Sequence, residues 1–171
     1  VTDPADRPIL SWPDPRLRQR AESVGAVTPE IRALAEEMLR IMYAAPGRGL
    51  AGPQIGEMRR IFVMDCGWKE GTPTPRVMID PEIAGASADT ITRTEGCLSL
   101  PGIPADVARP AEVTLRFTTL DGTQVEERFT GFEATCVQHE RDHLDGVLCI
   151  DYLDAAARAA LDPALAALGP V

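Results

Sequence analysis

The stretch Gln138-His139-Glu140-Arg141-Asp142-His143-Leu144-Asp145-Gly146 constrains this chain more than any other. It contains the pattern His-Glu-x-x-His, and the chain has only two histidines, both of them here. On a helix, residues four apart sit one above the other with Cβ atoms roughly 5–6 Å apart. Two imidazoles so placed can bind one metal ion from one face. Glu140, beside the first imidazole, can reach a water at the ion without becoming a ligand itself.

A catalytic site of this type needs a third protein ligand and one open position. No histidine remains, and Glu140 is the last Glu in the chain, which removes the downstream-Glu solution. Two cysteines compete. Cys149 falls where the metzincin pattern His-Glu-x-x-His-x-x-Gly-x-x-His puts its third ligand, and Gly146 matches too. Yet Cys149 lies between Leu148 and Ile150, which reads as buried packing. Cys97 lies in Glu95-Gly96-Cys97-Leu98-Ser99, where the glycine lets the chain approach another element.

Composition sets the outer bounds. With 171 residues, the chain suits one domain with a sizeable core, spanning residues 1–171. A net charge of -9 argues against nucleic-acid readout and against anionic membrane, though not against a basic protein partner. No apolar run approaches the roughly 20 residues of a membrane span. Val1 to Leu10 lacks an apolar core and does not read as a signal peptide. Cys66, Cys97, Cys136 and Cys149 are widely spaced, which favours free thiols or a metal ligand in a reducing compartment over disulfides.

Along the chain, residues 1–27 are broken by Pro4, Pro8, Pro13 and Pro15 and read as irregular. Thr28-Pro29-Glu30 predicts a helix start. Ile31, Leu34, Ala35, Met38, Leu39 and Met42 then follow the 3.6-residue period until Ala45-Pro46-Gly47. Gly47 to Gly56 holds four glycines in ten residues without the Lys-Ser/Thr ending of a phosphate loop. It predicts an open-backbone loop that pairs with an extended peptide or approaches a reacting centre. Arg60 to Asp65 predicts a buried strand, and Val77-Met78-Ile79 another that Asp80-Pro81 closes. Glu112 to Leu120 and Thr123 to Phe129 alternate around Asp121-Gly122, predicting a hairpin with a primed turn. The motif helix is expected over residues 132–144 with Gly146 near its end. Val147 to Ile150 reads as a short extended segment, and Asp154 to Leu168 as a closing Ala-rich helix.

Three ordered segments resemble the peptide deformylase family. Gly47 to Gln54 is similar to Gly-φ-Gly-φ-Ala-Ala-x-Gln; Glu95 to Ser99 matches Glu-Gly-Cys-φ-Ser in full; Gln138 to Gly146 is similar to Gln-His-Glu-φ-Asp-His-φ-x-Gly. The likeness runs from about Ile9 to the final helix. Arg48 and Arg141 depart in hydrophobic slots, and Gly52 replaces an Ala. Arg141 can pair with Asp145 at i+4.

The resemblance implies an α+β fold, with antiparallel β-sheets around a central metal-binding helix and helices at either end. It implies one divalent metal ion held by Cys97, His139 and His143, with ferrous iron expected; Zn²⁺, Ni²⁺ or Co²⁺ suit the same donors. Glu140 is then the proton carrier, and the Gln54 side chain and Leu98 backbone N–H are the oxyanion donors. Gly47, Arg48, Gly49 and Leu50, together with residues 100–104, would hold the peptide. Phe132, Thr135 and Cys136 would line the methionine pocket. Arg109 and Glu95 resemble a charge pair supporting the metal loop. The implied reaction removes formyl from the N-terminal methionine of nascent chains. The expected setting is a monomer near the ribosomal exit, in bacterial cytoplasm or an organelle with formyl-Met translation.

The two cysteines give opposite predictions. Cys97→Ser should lose bound metal, or the thiolate-to-metal absorption of a cobalt-loaded form, while Cys149→Ser keeps both. The reverse pattern would favour the metzincin arrangement.

Overall fold

The computed structural model describes residues 6–169. Pro4 and the first half of the stretch read against a signal peptide lie outside the described residues.

Helix α1, Pro29–Ala44, starts where Thr28 caps it, the hydroxyl accepting from the Ile31 N–H at 3.3 Å. The glycine-rich segment then splits into a short strand β1, Gly49–Ala51, and a single 3-10 turn, Gly52–Ile55. The expected all-loop segment is therefore partly regular. Strand β2, Ile61–Met64, is buried along its whole length. Its side chains alternate between two layers. Ile61 and Val63 pack with Ile31, Leu34 and Met38 of α1, whereas Phe62 and Met64 face the opposite core.

Strand β3, Arg76–Ala86, does not stop at Asp80-Pro81 as the sequence suggests. The chain takes a positive φ of 48° at Asp80, and the pairing to the next strand shifts register between Ile79 and Glu82. A bulge thus absorbs the proline, whose missing N–H would otherwise end the ladder. The Asp80 carboxylate, in turn, ties down the N-terminal segment through the Val24 and Gly25 N–H groups.

Strands β4, Thr90–Cys97, and β5, Leu100–Pro110, form a separate two-stranded sheet joined by a tight turn at Leu98-Ser99. Strands β6, Val113–Thr118, and β7, Gln124–Phe129, form the expected hairpin, but not through a primed turn. Gly122 N–H donates to Thr119 O at 3.0 Å and Thr119 N–H to Thr123 O at 2.9 Å, with positive φ at Gly122 alone. That is a three-residue connection with a glycine bulge; a type I′ turn would need positive φ at Asp121 as well.

The larger sheet has the order β1-β2-β3-β6-β7, antiparallel throughout. Helix α2, Gly131–Leu144, packs on one face of this sheet with α1 on the other, and the β4–β5 sheet covers the far side of α2. Residues 147–150 are not extended to their end: a 3-10 turn occupies Cys149–Tyr152. Its residues Cys149 and Ile150, with Leu148 before it, join Leu100, Ile103 and Val107 of β5 in a third core. Helix α3, Ala155–Leu168, capped by Asp154, closes that core through Leu165. The architecture is α+β, as expected.

Candidate active site

Helix α2 is enclosed on nearly every side, and its buried residues include Gln138, His139, Glu140, Asp142 and His143. Polar groups removed from water need partners, and those partners define the site. The His139 and His143 rings lie 5.1 Å apart, one turn of helix. The end of β4 brings Cys97 Sγ to 3.4 Å from His143 Nε2 and close to the His139 ring. Ligand atoms of Cys97, His139 and His143 all fall within 4.8 Å of one another. A nitrogen and a sulfur on one tetrahedral ion, at ordinary Zn–N and Zn–S bond lengths, stand about 3.5 Å apart. The donor set therefore fits a divalent cation.

Burial disfavours a charged His139, yet Glu140, Cys97 and Glu95 outweigh it and hold its pKa well above the ordinary histidine value. Burial, with the His139 and Arg109 charges, drives His143 well below that value. Burial pushes Glu140 up to about 7 despite the charge on His139. Its Oε1 is buried with no hydrogen-bond partner. Its other oxygen leans on bare backbone: a Cβ on Gly49 would come within 2.4 Å of Oε2.

One ring nitrogen of His139 is committed elsewhere. Nδ1 lies 2.9 Å from Glu95 Oε1, and Arg109 donates to both Glu95 oxygens at 2.6 and 2.9 Å. Arg109 also donates to Asp142 at 2.8 Å, and Tyr152 O–H donates to the same oxygen at 2.7 Å. Burial alone would raise Glu95, but the bonds from Arg109 and His139 hold it below the usual carboxylate range. The Arg109–Glu95 pair foreseen in the sequence is thus buried, not solvated. Asp142 and Tyr152 are additions. Asp142 lies within the quoted motif, one turn from His139, and that spacing was the available signal. Tyr152 has none, because an unexpected 3-10 turn places it.

A cavity of about 900 Å³ opens over this cluster. It brings together Gly47, Arg48, Gly49, Gln54, Cys97, Leu98, Phe132, Thr135, Cys136, His139 and Glu140, with residues 100–104 along one wall. His143 lies deeper, almost wholly buried. The Leu50 side chain is fully buried in the α1 core, because alternation along β1 turns it away from the cavity, so only its backbone could meet a peptide. Gln54 is held by its own oxygen, which accepts from the Ala51 N–H at 2.9 Å. Its Nε2 donates to Ser99 Oγ at 3.1 Å and points toward Cys97 Sγ at 3.6 Å.

Cys149 is packed with Leu148 and Ile150, and burial raises its thiol to about 11. It comes within 4.8 Å of donor atoms of Glu95 and His139, but Glu95 is already held by Arg109 and by His139 Nδ1.

The polypeptide deformylase family profile matches residues 6–159. The chain belongs to the peptide deformylase family. A peptide deformylase of Rhodopseudomonas palustris (strain BisB5) is 53% identical over 155 residues, covering 90% of this chain and 89% of its own. Among solved structures, the Synechococcus elongatus peptide deformylase in complex with actinonin superposes with a TM-score of 0.89 at 35% identity, covering 100% of this chain and 95% of its own. The Legionella pneumophila peptide deformylase superposes at 0.88 with 36% identity, covering 95% of each chain. The deformylase fold accounts for the architecture around α2, and the metzincin alternative finds no support among these relatives.

Arg109 offers a direct test of the cluster. Arg109→Met leaves Glu95 and Asp142 buried without their cation, which should cost about 3–5 kcal/mol. Urea unfolding should show the loss, together with weaker metal retention as Glu95 loses its hold on His139. Unchanged stability would mean that the buried ion cluster does not hold these elements together.

Proposed function

We propose that this chain hydrolyses the N-formyl group from the N-terminal methionine of nascent polypeptides, yielding formate and a free amine. The observation that carries this reading is the unpartnered, buried Oε1 of Glu140 beside three convergent metal-ligand atoms at the floor of the cavity. A structural metal site needs neither that carboxylate nor a Gln54 amide beside the ligand Cys97.

Cys97, His139 and His143 would hold one divalent ion, whose chemistry there is to polarise the formyl carbonyl and acidify water. Ferrous iron is the proposed metal; Zn²⁺, Co²⁺ and Ni²⁺ suit the same two-nitrogen, one-sulfur donor set. Glu140 takes the proton of the attacking water and returns it to the departing amine nitrogen. Gln54 Nε2, which lies 3.6 Å from Cys97 Sγ, would turn an N–H to the carbonyl oxygen as it gains charge, with the Leu98 backbone N–H as second donor. Glu95 keeps His139 in one tautomer by accepting from Nδ1. Phe132, Thr135 and Cys136 receive the methionine side chain. The peptide runs beside β1, the end strand of its sheet, where one backbone edge is free to pair.

A monomer working at the ribosomal exit in the cytoplasm is the setting proposed for this activity. Among the described residues, no helix is long and apolar enough to cross a membrane.

Glu140→Gln keeps shape and hydrogen bonding but removes the basic oxygen. It should retain metal and bind formyl-Met peptide while formate release falls by about 10²–10⁴-fold. Gln54→Ala should lower turnover by about a hundredfold or more at unchanged metal content. Near-normal formate release by either metal-loaded variant would remove that residue from the mechanism.

A further inference from the structure

Arg48 stands between two glycines at the cavity edge. A Cβ on Gly47 would meet the Leu98 side chain at 2.7 Å, and one on Gly49 would meet Glu140 at 2.4 Å. In this run of three, the glycines lie against side chains of the site and Arg48 alone carries a side chain. Its guanidinium lies over the Phe132 ring, 5.3 Å from the centroid. It donates to Glu70 Oε1 at 3.1 Å, its only acceptor among the described residues. Guanidinium carries five donors, and Glu70 is 62% exposed, so the pair is loose and most donors remain available. Lys69 lines the same edge. Its Nζ donates to Pro46 O at 3.1 Å and lies over Trp68, without a carboxylate partner among the described residues. Arg48 and Lys69 thus bring two cations to this edge beside the exposed Glu70; Glu133 follows Phe132 and Asp106 accepts from the lining Thr94 at 2.6 Å, while Glu95 and Glu140 are buried at the floor.

An extended peptide points residues i and i+2 to the same side, about 6.8 Å apart. With the methionine side chain beside Phe132, the third residue faces the wall where Arg48 covers that ring. We propose that Arg48, assisted by Lys69, selects formyl-peptides with an acidic side chain at the third residue. This rests on the deformylase reading above.

The test uses metal-loaded protein and three C-terminally amidated peptides, formyl-Met-Ala-Glu, formyl-Met-Ala-Gln and formyl-Met-Ala-Lys. At low ionic strength KM should be about threefold to fivefold lower for Glu than for Gln, and higher for Lys, with kcat alike. High salt should flatten the series. Arg48→Gln should shrink the Glu preference, Arg48→Glu should invert the order, and Glu70→Gln should widen it by removing the competing carboxylate. Equal KM values for the three peptides would overturn the proposal. So would an Arg48→Gln protein whose KM rises equally for all three, since Arg48 would then only wall the methionine pocket. A preference for formyl-Met-Glu-Ala over formyl-Met-Ala-Glu would overturn the assigned position. Binding of the same peptides, followed by tryptophan fluorescence, ranks them independently of turnover. Absence of formate release would therefore count against the deformylase reading, while the binding order still decides the role of Arg48.

Discussion

The buried guanidinium of Arg109 is the interaction on which the rest of the site depends. It comes from β5, takes both oxygens of Glu95 on β4, and reaches Asp142 on α2. Three elements from two layers are joined at one point, and Tyr152 adds a fourth through Asp142 and by lying under the guanidinium. Taking these charges out of water is costly, and an apolar cluster of similar volume would serve stability as well or better. What an apolar cluster cannot do is accept the Nδ1 proton of His139. The cluster fixes the ring that must face Cys97, so a stability cost in the core becomes orientation at the site.

Bare backbone does the complementary work on the other wall. At Gly49 a methyl group would displace the Glu140 carboxylate, and at Gly47 it would press on Leu98. The β1 segment is consequently close enough to the helix to confine Glu140 while leaving one oxygen unpartnered. The far end of α2 is also pinned from outside the site. Arg60 donates to Leu144 O and to Asp145, and Gly146 passes so near Arg18 O that a Cβ would come within 2.4 Å. Asp145 also meets Arg141 at 3.4 Å, the i+4 pair foreseen from the sequence.

Much of this was legible in the sequence because it is local. The α1 period, the Thr28 cap, the β6–β7 alternation and the His-Glu-x-x-His spacing are short-range patterns, and each resolves into the expected element. The failures share a cause in tertiary context. Pro81 looked like a strand end because the bulge that accommodates it lies in the partner's register. Strand β5 gives little signal, since Pro101, Pro104 and Pro110 interrupt it; a two-stranded sheet tolerates them because each strand has a free edge. Motif position puts Leu50 beside the peptide, and strand alternation sends its side chain into the core, leaving only its backbone for that role. Tyr152 became part of the site only through a turn that no periodicity announces.

The central claim is that one ion held by α2 and the end of β4 turns this cavity into a deformylating site. The most direct measurement strips the anaerobically purified protein with chelator, then titrates Fe²⁺ or Co²⁺ while following formate release from a formyl-Met peptide. Activity should be absent from the stripped protein, rise in proportion to added metal, and stop rising at one ion per chain. Formate release by stripped protein, or none from protein holding a full equivalent of metal, would contradict the account.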